Sequence, residues 1–234
     1  SWISVSANLS NTVALRSDGA IYAWGSNATG QLGDGTVVNK SSPVQIGTSS
    51  WSTVGTGTQH TIATKIDGSI WAWGSNASGQ LGDSTVVNRS SPIQIGTSSW
   101  SLVSAGAVNT SAIRIDGSLY TWGNSAAGQI GQGALLHRSS PVQITSLGGS
   151  EAAIDSYVSA IGYGGTVYNS WIAIAGTVYT TYAIRNDGML FAWGDNSQGQ
   201  FGDNTVISKS IPTMIGSSSW TAIAAGAGSV TTHF

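Results

Sequence analysis

Residues 18–34 read Asp-Gly-Ala-Ile-Tyr-Ala-Trp-Gly-Ser-Asn-Ala-Thr-Gly-Gln-Leu-Gly-Asp, and close variants of this string begin again at Asp67, Asp116 and Asp187. Its Trp-Gly pairs stand at Trp24, Trp73, Trp122 and Trp193, in steps of 49, 49 and 71. Pro43, Pro92, Pro141 and Pro212 keep the same steps, and a second tryptophan column runs Trp2, Trp51, Trp100, Trp171, Trp220. The long step holds 22 extra residues between Ile144 and Trp171. The repeats are therefore residues 2–50, 51–99, 100–170 with an insertion over 149–170, 171–219, and a partial fifth over 220–234. Residues 2–50 and 51–99 align without gaps at 31 identities in 49. Self-similarity at this period determines the architecture.

Each unit reads as four short strands. In the first these are Trp2–Ala7, Thr12–Arg16, Ala20–Trp24 and Pro43–Ile46. Asp18-Gly19 makes a tight hairpin between the second and third strands, because both residues tolerate positive φ. A glycine-rich loop, Gly25 to Gly33, separates the third from the fourth. Four-stranded units at a period of 40 to 50 residues are the signature of propeller blades, so the expected fold is an all-β propeller of antiparallel four-stranded blades.

The strings Trp24–Gly33, Trp73–Gly82, Trp122–Gly131 and Trp193–Gly202, each with an Asp-Gly six residues ahead, resemble the repeat of the regulator of chromosome condensation family. The resemblance covers nearly the whole chain outside the insertion. It implies a propeller usually of seven blades, one repeat to about one blade. Seven units of this size need about 340 residues, whereas the chain has 234 and stops before the Asp-Gly of its fifth unit. An open set of blades exposes unpaired edges. The expectation is thus a piece of a larger ring, or a subunit whose edges neighbours cover.

Charge follows the same columns. Arg16, Lys65, Arg114 and Arg185 precede the Asp-Gly turns, and Lys40, Arg89, Arg138 and Lys209 precede the proline segments, which accounts for all eight basic residues. Asp18, Asp67, Asp116 and Asp187 lie in the turns, and Asp34, Asp83 and Asp203 follow the Gly-Gln loops. Catalysis needs distinct acid, base and nucleophile roles converging at one place. Residues recurring once per blade read instead as parts of the blade, and the chain is expected to be no enzyme, with no cofactor. A net charge of −2 lacks the basic excess that phosphate-backbone binding requires, so no nucleic-acid partner is expected. No stretch supplies about 20 predominantly apolar residues, so no membrane span is expected.

His60, His137 and His233 occupy different phases of the repeat, and a shared metal site would require their convergence. Asp34, Asp83 and Asp203 invite a calcium reading, but the third unit carries Gln132 in that column and each loop offers one acid. No metal site is assigned. Nine of the ten tryptophans belong to the two columns, and Trp71 shares a column with Tyr22, Tyr120 and Phe191. They read as blade packing rather than as the light-sensing cluster of the plant ultraviolet receptor in this family. Six Asn-x-Ser/Thr sequons, at Asn8, Asn27, Asn39, Asn76, Asn88 and Asn109, arise largely from the repeat's own columns.

What breaks the symmetry is the insertion. Five of the seven tyrosines fall within 26 residues from Tyr157 to Tyr182. Tyrosine supplies rigid contact area with a polar end. The candidate binding residues are Glu151, Asp155, Tyr157, Tyr163 and Tyr168. The expected function is a non-catalytic interaction or structural propeller at a cell surface or on a virion, extracellular, of bacterial or phage type. Its expected partner is a protein or a surface glycan. An alternative, implied by the resemblance, is a guanine-nucleotide exchange factor for a small GTPase; a propeller-based enzyme is a third.

Overall fold

A computed structural model of the chain describes residues 1–48, 50–145, 147 and 170–225. Sixteen strands form four separate sheets, each an antiparallel meander in chain order. The first blade holds β1 (Trp2–Ala7), β2 (Asn11–Arg16), β3 (Ile21–Gly25) and β4 (Lys40–Gln45). The second holds β5 (Trp51–Thr56), β6 (His60–Lys65), β7 (Ile70–Gly74) and β8 (Arg89–Gln94). The third comprises β9 (Trp100–Ala105), β10 (Asn109–Arg114), β11 (Leu119–Gly123) and β12 (Arg138–Gln143). The fourth comprises β13 (Trp171–Gly176), β14 (Thr180–Arg185), β15 (Leu190–Gly194) and β16 (Lys209–Met214). The all-β propeller architecture expected from the repeat is present.

Alternation along each strand gives every blade two apolar faces. On the trailing face of the first blade, Val13, Leu15, Ile21, Ala23, Leu32 and Ile46 pack against Trp51, Ala63 and Trp73 on the leading face of the second. The second and third blades meet through Ile62, Ile70, Leu81 and Ile95 against Trp100 and Trp122. The third and fourth meet through Ile113, Leu119 and Ile144 against Trp171, Phe191 and Trp193. The core is thus a series of layers between sheets rather than one central cluster.

The Trp-Gly column works across these layers. Trp73 Nε1 donates to the Gln31 carbonyl at 3.0 Å, Trp122 to Gln80 at 2.9 Å and Trp193 to Gln129 at 2.9 Å. Thr61, Thr110 and Thr181 hydroxyls donate to the same carbonyls. Gly33, at φ +81°, passes directly over the Trp73 indole, and a Cβ there would sit 2.6 Å from its nitrogen. Glycine is the residue that permits both the backbone conformation and the approach.

β1, β5, β9 and β13 pack against one another and so lie nearest the propeller axis, with the proline-bearing strands outermost. Proline is tolerated there because an outer edge has no ladder partner to donate to. For the same reason the fourth strand begins at Lys40, three residues ahead of the sequence expectation, since Ser-Ser-Pro continues an edge strand instead of a turn.

Among the described residues no blade packs on the leading face of the first. Trp51, Trp100 and Trp171 are 3%, 4% and 6% exposed, whereas Trp2 is 55% exposed beside exposed Ile3 and Val5. At the other end the Trp220 amide donates to the Gly188 carbonyl at 2.8 Å, as Trp51 does to Gly19. Trp220 and Ile223 then cover the Ile184, Leu190 and Phe201 cluster. The described part of the partial fifth unit, residues 220–225, forms no strand: the chain bends at Thr221, because a strand needs a ladder and the described residues offer no second strand of a fifth blade.

Candidate functional site

Because each blade is a meander, the turns between first and second strands and the long loops between third and fourth share one end of the molecule. The Asp-Gly turns and the blade-to-blade connections share the other.

The long loops are built around a buried amide. In the first blade Asn27 Nδ2 donates to Asp34 Oδ1 at 3.0 Å, to the Thr36 carbonyl at 3.0 Å and to the Val38 carbonyl at 3.2 Å. Its Oδ1 accepts from the Leu32 amide at 2.9 Å, and its own amide donates to Asn39 Oδ1. Asn76 and Asn196 repeat this set in the second and fourth blades. Burial alone would raise the Asp34 pKa, but hydrogen bonds from Thr36, Lys40 and Asn27 outweigh it and hold the carboxyl below its usual range. Lys40 Nζ lies 3.1 Å from Asp34 and Arg89 Nη2 2.7 Å from Asp83. The carboxylates thus serve the loop. Among the described residues no three His, Asp or Glu side chains are grouped as metal ligands.

The third blade replaces the set as a unit. Ser125 stands for the asparagine, Gln132 for the aspartate, Ala134 for the threonine and His137 for Asn39. The Ser125 amide donates to His137 Nδ1 at 3.0 Å, Ser125 Oγ to the Ala134 carbonyl, and Gln132 Nε2 to the Gln143 carbonyl. His137 is therefore a loop cap.

The loops of the first three blades are also tied to the next blade: Gly35 donates to Ser90, Ser84 to Ser139 and Gly133 to Ser210, all through backbone groups. What these braced loops present is apolar. Val37-Val38, Val86-Val87, Leu135-Leu136 and Val206-Ile207 occupy one column, and all eight residues are between 55% and 65% exposed. No charged residue lies within these four pairs or immediately ahead of them.

Inside this rim the inner turns are joined blade to blade: Asn8 Nδ2 donates to the Gly57 carbonyl, the Thr58 amide to Ala107 and the Ala107 amide to Thr177. Beneath them lies His60, fully buried, with its ring against Gly57. Thr110 Oγ1 donates to the Gln80 carbonyl at 2.7 Å and so accepts from His60 Nε2 at 3.0 Å. The proton therefore sits on Nε2, leaving Nδ1 without a partner. Burial pulls the imidazole pKa from 6.5 to about 4, so it is neutral near pH 7. Nearer the axis is a cleft of about 320 Å³ lined by small groups, including Ser6, Thr56, Ser104, Gly176 and Ala225.

At the opposite end, Arg16 and Arg185 pair with Asp18 and Asp187. The hydrogen bond from Arg16 holds the Asp18 carboxyl down at about 2. Lys65 Nζ sits 3.6 Å from the Trp71 ring centroid and Arg114 4.5 Å from Tyr120, which gives the turn cations a packing role. The insertion joins β12 to β13 at this end, but Glu151, Asp155, Tyr157, Tyr163 and Tyr168 lie outside the described residues. Of the sequons, Asn27, Asn76 and Asn109 are fully buried. No helix among the described residues is long and apolar enough to cross a membrane. The exposed apolar pairs recur in the sequence at the period of the repeat, but their outward aim follows from the Asn27-type hub that closes the loop beneath them.

The repeat model described as regulator of chromosome condensation (RCC1) matches residues 18–64, 67–113, 116–166 and 187–231, and a second RCC1 repeat model matches 2–31, 51–80 and 171–200. No curated protein matches the chain in sequence. Among solved structures, human WBSCR16 superposes with a TM-score of 0.81 at 21% identity, over 97% of this chain and 56% of that one. Prp20p from Saccharomyces cerevisiae, described with its binding properties to Gsp1p and histones, gives 0.75 at 18%, over 92% and 50%. The same yeast protein bound to Kap60 gives 0.73 at 16% identity, over 92% of this chain and 49% of that one. The chain thus spans about half the length of these solved proteins.

Proposed function

The chain belongs to the RCC1 repeat family, and from that premise we propose that it is a non-catalytic interaction propeller that binds a protein partner at the loop-bearing end. The observation that carries this reading is the column of rigid loops offering an exposed aliphatic pair in every blade. Exposed apolar surface held by a satisfied hydrogen-bond frame is what an interface requires before its partner arrives. Buried His60, with Nε2 engaged by Thr110, supports a structural rather than a general-base role. Low charge, absent cysteine and near-identical repeats fit a module of a bacterial or phage surface, with the insertion as a further contact. Binding by Prp20p to Gsp1p keeps an exchange-factor role as the competing reading.

The test combines two assays. The chain carrying Val38→Thr, Val87→Thr, Leu136→Gln and Ile207→Thr keeps its circular dichroism spectrum but loses capture of its partner from the native source. The unaltered chain leaves nucleotide release from a panel of small GTPases at the spontaneous rate. Accelerated release establishes the exchange-factor reading instead, and capture undiminished in the variant moves the site away from the loops.

A further inference from the structure

The apolar pairs have a feature that a contact with an arbitrary partner does not need: they are equivalent in all four blades. We infer that the loop-bearing end is a self-association surface, on which a second copy of this chain docks face to face through Val37-Val38, Val86-Val87, Leu135-Leu136 and Val206-Ile207. This rests on the reading of that end as the binding face and specifies the partner.

Three observations lead there. The first is chemical self-complementarity. An isologous contact places a surface against itself, so any charge at its centre meets its own sign. The four tips carry none, and the nearest acids and bases of the first two blades are satisfied internally as Asp34–Lys40 and Asp83–Arg89. Second, the surface on offer is extensive: eight aliphatic residues, each 55–65% exposed, stand at one end, where a stable interface takes roughly 800 Å² from each partner. Third, the first three tips are braced to the neighbouring blade by Gly35–Ser90, Ser84–Ser139 and Gly133–Ser210 and the fourth is held by its own Asn196, so little conformational freedom remains to be lost on docking. The other exposed apolar surface, around Trp2 and Val5, differs in kind. It repeats the leading face that every later blade buries, and so fits a blade rather than a flat end.

Sedimentation of the whole chain decides the matter. The expected result is twice the 23.8 kDa mass for the unaltered chain and a folded monomer for the variant carrying Val38→Asp, Val87→Asp, Leu136→Asp and Ile207→Asp. A Trp2→Ser, Val5→Ser variant stays dimeric. Threonine in place of the two valines, Val38→Thr and Val87→Thr, gives an intermediate dissociation constant with no change in fold. A monomeric unaltered chain overturns the inference, as does a dimer that survives the aspartates or one that the Trp2 variant dissociates. A monomer whose tips bind phospholipid vesicles, or capture a different protein, also overturns it. The last outcome leaves the interaction-propeller reading standing.

Discussion

His60 shows how one position in a repeat acquires chemistry without acquiring a catalytic role. Its column holds Asn11, His60, Asn109 and Thr180, and the turn above it holds Asn8, Gly57, Gly106 and Thr177. Where the lower side chain folds back under the turn the upper residue is glycine, because a Cβ on Gly57 would lie 2.2 Å from the imidazole. The buried ring has consequences with pH. Its folded pKa of about 4 lies below the ordinary 6.5, so the unfolded chain binds the proton more readily between those values. Stability contributed by the neutral ring is complete above pH 6.5 and is lost as pH falls toward 4, by up to about 3 kcal/mol. His60→Asn, which installs the residue that the neighbouring blade carries as Asn109, should flatten urea-unfolding stability across this window. Asp34, Asp83 and Asp203 are held below their usual range, so both proteins weaken further as pH drops beneath about 4. An unchanged slope between pH 6.5 and 4 in the variant would remove His60 from the account.

At the scale of the element, a blade is defined by what the next blade does to it. Trp73→Phe removes the donor to the Gln31 carbonyl and part of a fully buried ring, and should cost about 2 kcal/mol in chemical unfolding. Trp24→Phe removes the same atoms where the described residues place no blade against the ring, and in this chain should cost under about 1 kcal/mol; equal losses would contradict the layered core. The loops give a second comparison. Asn76→Ser strands the Thr85 and Val87 carbonyls and should destabilise by about 2 kcal/mol. Serine serves in the third blade alongside Gln132, Ala134 and His137, and installing the equivalents of these three partners in the second blade should recover most of the loss. The four-stranded blades and the Asp-Gly turns were legible from spacing, since period and turn chemistry are local. Two things were not. The start of the fourth strand at Lys40 depends on its being outermost, and the outward aim of Val37-Val38 depends on Asn27 closing the loop beneath it.

For the whole molecule, the insertion between Ile144 and Trp171 replaces a connection that elsewhere runs directly from Ile95 to Trp100. Deleting residues 149–170 should therefore leave the blades and the thermal unfolding midpoint nearly unchanged, because a surface connection of the native short length already exists in the chain. If Tyr157, Tyr163 and Tyr168 form an interface, partner binding falls with that deletion; if they do not, it is untouched. The number of blades was legible in the arithmetic of repeats, but the exposure of the blade face carrying Trp2 and Val5 follows from the layered packing and not from the period. Binding at the loop-bearing end is tested most directly by a photo-crosslinking amino acid placed at Val38 or Leu136, and separately at Ile66 or Ile115 on the exposed Asp-Gly turns. A discrete protein adduct, whether with a second copy or another chain, is predicted from the first pair of positions and none from the second. Adducts formed only from Ile66 and Ile115 would contradict the account.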